Sequence, residues 1–261
     1  MKQSLFVILF LTTLFTTTEA QKSKKERKEE RKERLNALAK QEEEGVIIFN
    51  KHNVFGLGLA TDGYGVIFEK GFKQDKSRTT LLRFEFFEKK HIKEERVTNP
   101  TIFGASNSFI YAKLNNFYQF RAGYGMLKLI GNKGNKNGIE ISAVGIGGLS
   151  LGLLKPYYYD MQDRTGNLKK RVLFDKRDSG LTLINGAAGL TYGWKEVKIK
   201  PGAFLKTGIR FDYGRYNEMV GAVELGLMGE FYASKIPQMY NVKQKQFFFS
   251  GFVTILFGKR K

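Results

Sequence analysis

The chain predicts an all-β fold: an antiparallel, up-and-down transmembrane β-barrel of eight or ten strands with a charged N-terminal extension. Three observations carry this. From residue 54 to the C-terminus the sequence is a succession of segments with a two-residue hydrophobic period, split by polar turns. Several segments reach the ~9–11 residues a tilted membrane strand needs. After residue 20 no run of ~18 apolar residues offers a spanning helix.

Composition agrees with this class. The 261 residues include 29 Gly, 23 Phe and 12 Tyr against 4 Pro and 1 Trp. Glycine relieves crowding where barrel strands bend, and aromatics settle at membrane interfaces. There is no Cys, which excludes a lipoprotein anchor, disulfides and thiolate metal sites. The formal net charge of +19 suggests a nucleic-acid partner by itself, but an exported chain rarely meets one. Basic loops beside outer-membrane lipid, including lipopolysaccharide phosphates, suit the charge better.

Export is read from residues 1–20. Lys2 supplies the positive start, 5–14 (LFVILFLTTL) an apolar stretch too short to span, and Thr18 and Ala20 the small residues before a cleavage site. Residues 21–45 are almost wholly charged with mixed signs, the pattern of a solvated helix or periplasmic tether. The barrel is expected over 46–261.

Nine strands are read in order. Segments 54–60 and 63–71 flank Thr61, Asp62 and Gly63, a tight hairpin signal. Segment 79–88 sets Leu82, Phe84 and Phe86 against Arg83 and Glu85, and 117–128 sets Phe120 and Tyr124 against Arg121. Segment 139–153 is long and Gly-rich, and 181–194 ends in Trp194. Segment 197–212 divides Leu205 and Ile209 from Lys198, Lys200, Lys206 and Arg210. Segment 218–232 divides Leu225 and Leu227 from Glu218, Glu224 and Glu230. In 246–258, Phe247, Phe249, Val253, Ile255 and Phe257 share a face opposite Ser250 and Thr254. Single-chain bacterial barrels have even strand numbers, so either one segment is not a barrel strand or another is hidden near 108–113. The connections 89–116 and 153–180 are the longest and are expected to face outside.

A soluble β-sandwich would alternate too. Long strands, aromatic apolar faces, and opposite faces mixing single charges with Gly favour the membrane. The apolar faces are then lipid-facing: Phe120, Tyr124, Leu205, Ile209, Leu225, Leu227, Phe247, Phe249, Val253, Ile255 and Phe257. The charges fall inside: Arg83, Glu85, Arg121, Lys198, Lys200, Lys206, Arg210, Glu218, Glu224 and Glu230. In the hairpin through Gly214, one register pairs Lys206 with Glu224 and Lys200 with Glu230. A slip of two pairs Arg210 with Glu218 and Lys198 with Glu230. An eight-stranded barrel is just filled by side chains, so these charges are read as a self-paired plug, with a porin-like small-solute channel as the alternative.

No catalytic, cofactor or metal site is read. His52 and His91 lie near strand ends, outside any hydrolase or zinc-protease motif, so a barrel-embedded lipid-modifying enzyme or protease is not favoured. Gly145, Gly147 and Gly148 lie within a strand, and the Gly-rich 131–138 lacks a Walker-type Lys-Ser/Thr. Lys89, Lys90, Lys93, Lys169, Lys170 and Arg171 are loop cations that would either be solvated or touch lipid phosphates.

Segments 46–50 (VIIFN), 56–65 (GLGLATDGYG), 150–158 (SLGLLKPYY) and 256–260 (LFGKR) resemble outer-membrane β-barrel proteins of the Bacteroidetes. The resemblance runs from about residue 45 onward and leaves out 22–44. It implies a barrel in the outer membrane of a Gram-negative cell envelope, and no catalytic residues. The expected role is structural, or accessory to an envelope protein complex.

Overall fold

The computed structural model describes residues 24–43, 49–98, 100–101, 104–105, 107–133, 138–162, 168–173, 183–214, 219–240 and 242–261. The expected export signal and Glu218 lie outside these.

The described residues of the first unit form a helix, α1 (Lys24–Glu43). Its Lys, Arg, Glu and Gln are good helix formers. Glu26 in the first turn complements the helix dipole.

The second unit is built on a closed antiparallel barrel. Its strands are β1 (Lys51–Ala60), β2 (Gly63–Lys73), β3 (Arg78–Lys89), β4 (Asn115–Gly131), β5 (Glu140–Pro156), β6 (Lys198–Asp212), β7 (Met219–Ile236) and β8 (Lys245–Arg260). Each pairs with its sequence neighbours, and β1 closes onto β8 from His52↔Arg260 to Ala60↔Phe252. Closure leaves no barrel edge with unpaired backbone groups, which is what a spanning sheet requires.

The count is eight, because segment 181–194 is not a barrel strand. Leu183–Ala187 is five residues long and flanks a small three-stranded sheet with Tyr158–Gln162 and Leu168–Leu173. Gly189 and Gly193 then take φ of 87°, the left-handed region, and the chain turns into the 3-10 helix Trp194–Glu196. Nor does 108–113 hide a barrel strand: Phe109–Ile110 makes a two-residue ladder with Arg96–Val97.

With eight strands, β1 starts and β8 finishes at the same end of the barrel. Connections at that terminus side are short (74–77, 132–139, 213–218). The long ones, 90–114 and 157–197, lie at the opposite, loop side, with 61–62 and 237–244.

The loops build a core of their own. Phe109, Ala112, Tyr159 and Met161 are buried together, with Tyr157, Ile184 and Ala187 packed against them. The Tyr159 hydroxyl donates to the Ile110 carbonyl at 2.7 Å and accepts from the Lys113 amide at 2.8 Å. The Leu114 amide donates to the Gln238 carbonyl at 2.8 Å, tying this head to the β7–β8 connection.

The β6–β7 register matches neither expected pairing. Arg210 lies opposite Glu224, and Phe204 opposite Glu230. The shift follows from a longer turn, closed by the Tyr213 amide on the Gly221 carbonyl rather than tightly at Gly214.

Candidate functional site: the barrel interior

Alternation puts every second side chain of each strand inside, and the eight strands bring charges far apart in sequence into one column. Glu69 (β2), Arg83 (β3), Arg210 (β6) and Glu224 (β7) are all buried. Arg83 grips Glu224 with two nitrogens, Nη1 at 2.7 Å and Nη2 at 2.8 Å. Its Nε donates to Glu69 at 2.8 Å, and its Nη2 also contacts Glu69. Arg210 mirrors it, forking onto Glu69 at 2.8 and 2.7 Å and reaching Glu224 at 2.8 Å through Nη2. Each guanidinium thus bridges both carboxylates in the two-pronged geometry that suits Arg. His52 Nε2 lies 3.0 Å from Glu69 Oε1.

A second layer lies toward the loops. Glu85 takes Lys206 Nζ and Arg121 Nη2, each at 2.8 Å. Glu230 accepts from Arg121 at 3.0 Å, Lys89 at 2.6 Å and Gln119 at 3.0 Å. Gln119 also donates to the Tyr232 hydroxyl at 2.8 Å, which shares a 2.7 Å bond with Ser150. Arg83 Nη1 comes within 3.8 Å of Glu85 and links the layers. Aromatic faces cover the cations: Phe87 under Arg121 at 4.4 Å and Phe252 under Lys206 at 4.0 Å.

Apolar side chains close the column. Val54, Val220, Ala222 and Leu256 cluster toward the terminus side. Leu81, Val144, Ile146 and Phe204 pack in the middle, and Phe117, Leu154, Tyr232 and Ile236 toward the loops. Each charge of the two layers has a partner of opposite sign, the condition under which interior charges are tolerated, whereas buried Lys155, nearer the loops, donates to the Leu190 carbonyl and lies over the Trp194 ring.

Of the expected interior charges, Arg83, Glu85, Arg121, Lys206, Arg210, Glu224 and Glu230 meet in this network. Lys198 and Lys200 do not. Both have the inward parity, but they sit at the loop-side start of β6, where Lys198 is exposed and Lys200 half-buried. The expected lipid-facing residues Phe120, Tyr124, Leu205, Ile209, Leu225, Leu227, Phe247, Phe249, Val253, Ile255 and Phe257 are all exposed on the outer surface.

Glu69, His52 and Lys89 were not anticipated as interior residues, whereas Gln119 shares the inward face of Arg121 as its parity predicts. Glu69 carried a readable signal, sharing the parity of Ile67 against exposed Val66 and Phe68. His52 is buried rather than at the surface, because β1 starts at Lys51, before the expected strand. Lys89 is 3% exposed and paired with Glu230 and Asp62, so it is not a loop cation reaching lipid. Lys90 is exposed over the Tyr64 ring, and Lys93 is exposed. The side chains of Lys169, Lys170 and Arg171 lie outside the described residues.

His91, in the β3–β4 loop, is half-buried. Its amide donates to Glu94 at 3.0 Å and its Nδ1 accepts from the Lys93 amide at 3.1 Å. Burial lowers its pKa, with Lys245 and Lys93 adding to the effect and Glu94 opposing it. Among the described residues, no group of three or more His, Asp or Glu is placed to hold a metal ion.

Fold and interior together define a transmembrane-type β-barrel, apolar outside and ion-paired within. No family model and no curated protein matches the chain. Among solved structures it is similar to Ail, the attachment invasion locus protein of Yersinia pestis. The structure of that protein in complex with the heparin analogue sucrose octasulfate shows 9% identity and a TM-score of 0.38. A second Ail structure shows 10% identity and a TM-score of 0.39. Both comparisons cover 82% of this chain and 100% of the other.

Proposed function

We propose that this protein is an outer-membrane barrel with a closed lumen, serving a structural or accessory role in the cell envelope rather than catalysis or solute passage. The observation that carries the reading is the column of Glu69, Arg83, Arg210, Glu224, Glu85, Lys206, Arg121, Glu230 and Lys89. These charges are spent on each other. A conducting pore keeps its interior charges hydrated, whereas these side chains are almost wholly buried.

The outer surface supports the membrane address. On β4 the outward positions run from Tyr118, which the Trp194 ring covers, through exposed Phe120, Tyr124 and Met126 to Lys128. Ten residue steps cover roughly 33 Å along a strand. Tilted by about 40°, they span about 25 Å, the height of a barrel's apolar band. The loop head, at the end opposite the start of β1 and the finish of β8, supports an accessory role by offering one consolidated surface to a partner.

Planar-bilayer recording of the purified full chain tests the reading. The expected result is insertion with no steady current. Steady, ion-selective conductance would replace it with the small-solute channel. Recovery of the folded chain in a soluble fraction would overturn the membrane address.

A further inference from the structure

The terminus-side rim of the barrel carries cations on one half only. Outward positions there are Lys259 on β8, Lys51 on β1, Lys70 on β2, Arg78 on β3 and Lys128 on β4, five adjacent strands. All five side chains are exposed, and each follows the parity of its strand's lipid-facing residues, as Lys259 follows Phe257 and Lys128 follows Met126. On the other half, the corresponding described positions are apolar: Ile139, Ile209, Tyr213 and Met219.

The register makes this half-girdle costly unless anions are supplied. Arg78 and Lys128 stand directly opposite each other. Like charges so placed across two strands repel. Asn53 lies opposite Lys259 on one side and Lys70 on the other, so two cations flank one amide in a single row. None of the five has an ion-pair partner among the described residues. Neighbouring carboxylates are otherwise engaged: Glu69 points inward to Arg83 and Arg210, and Asp212 holds Arg260 at 2.7 Å. Asp75, in the β2–β3 turn, is not engaged elsewhere, but it is exposed and among the described residues it pairs with none of the five cations.

We propose that this half-girdle binds the phosphate groups of anionic phospholipids in the membrane leaflet on the terminus side. The inference rests on the membrane reading above. The geometry suits the ligand: long basic side chains lay their stems on apolar surface and lift the charge to headgroup level. The Arg78–Lys128 pair and the Lys70–Asn53–Lys259 row are two places where one phosphate meets two cations. A zwitterionic headgroup brings its own ammonium and relieves the repulsion less.

The test uses the full chain reconstituted in phosphatidylcholine vesicles containing a trace of spin-labelled phosphatidylglycerol or spin-labelled phosphatidylcholine. Electron paramagnetic resonance reads the motionally restricted fraction of each. The wild type is expected to restrict phosphatidylglycerol at least about fivefold more than phosphatidylcholine, the gain from a single basic residue per phosphate and so a lower bound where two cations meet one phosphate. The variant K70Q/R78Q/K128Q/K259Q should bring the ratio close to one. The loop-side control K90Q/K195Q/K198Q should keep the wild-type ratio. Heat-modifiable gel mobility verifies that each variant is a folded barrel. A wild-type ratio of one in inserted, heat-modifiable protein overturns the lipid site and leaves the membrane reading intact. So does a preference lost in the control but kept in the quadruple variant. A chain that fails to enter the vesicles overturns the membrane reading and this inference with it.

Discussion

Arg83 is the side chain on which the interior balance turns, and Arg83→Met is the perturbation that exposes it. Arg83 is 1% exposed and contacts both Glu69 and Glu224. Methionine fills most of its volume without the charge, leaving two buried carboxylates to share Arg210. Removing one member of a buried ion pair costs about 3–5 kcal/mol. Glu224→Gln should cost a similar amount, since two guanidiniums then share Glu69. The double variant Arg83→Met/Glu224→Gln restores a one-to-one Arg210–Glu69 pair, held by two hydrogen bonds of 2.8 and 2.7 Å. Its cost should therefore stay near that of one single variant, a coupling of at least about 2 kcal/mol. The assay is urea unfolding in lipid vesicles, with the folded fraction read by heat-modifiable mobility and by fluorescence of Trp194, the single Trp. Additive costs within about 0.5 kcal/mol would refute the shared network, as would an Arg83→Met cost below about 1 kcal/mol.

Three further outcomes are expected. A Cβ on Gly226 would lie 2.1 Å from the Thr207 carbonyl oxygen, while one on Gly145 meets nothing within 4 Å. Gly226→Ala should thus destabilise by about 1–3 kcal/mol in the same urea assay, with Gly145→Ala near neutral; equal effects would contradict this packing. Leu205→Arg, on the exposed outer face of β6, should cost about 2–4 kcal/mol in vesicles if this position meets the lipid midplane, and a neutral result would place it elsewhere. His91 should titrate below its ordinary 6.5 by NMR, with Lys245→Gln moving the midpoint upward. The native state favours its neutral form, so that contribution to stability is full above 6.5 and is lost as pH falls through the native value. A midpoint at or above 6.5 would refute the assignment.

Alternation made most of the barrel readable because outward and inward residues differ in kind on strands such as 197–212 and 246–258. It failed at 181–194, where an apolar, Gly-containing stretch looks like a strand. Its fate was decided by left-handed turns at Gly189 and Gly193 and by a loop core centred on Tyr159. It also misplaced Lys198 and Lys89. Parity tells which way a side chain points, but not whether its height on the strand lies in the column or at the mouth.

By itself, the sequence determined the two-residue period, the sidedness of nearly every long strand and the mixed-sign interior, since these depend only on the pleat and on residue order. The tertiary structure alone decided the count of eight, the β6–β7 register and the partners within the lumen. Lys206 finds Glu85 on β3, and Arg83 finds Glu224 on β7, 141 residues away. Such pairs form across a closed cylinder, and closure is a property of the whole sheet that no single hairpin encodes.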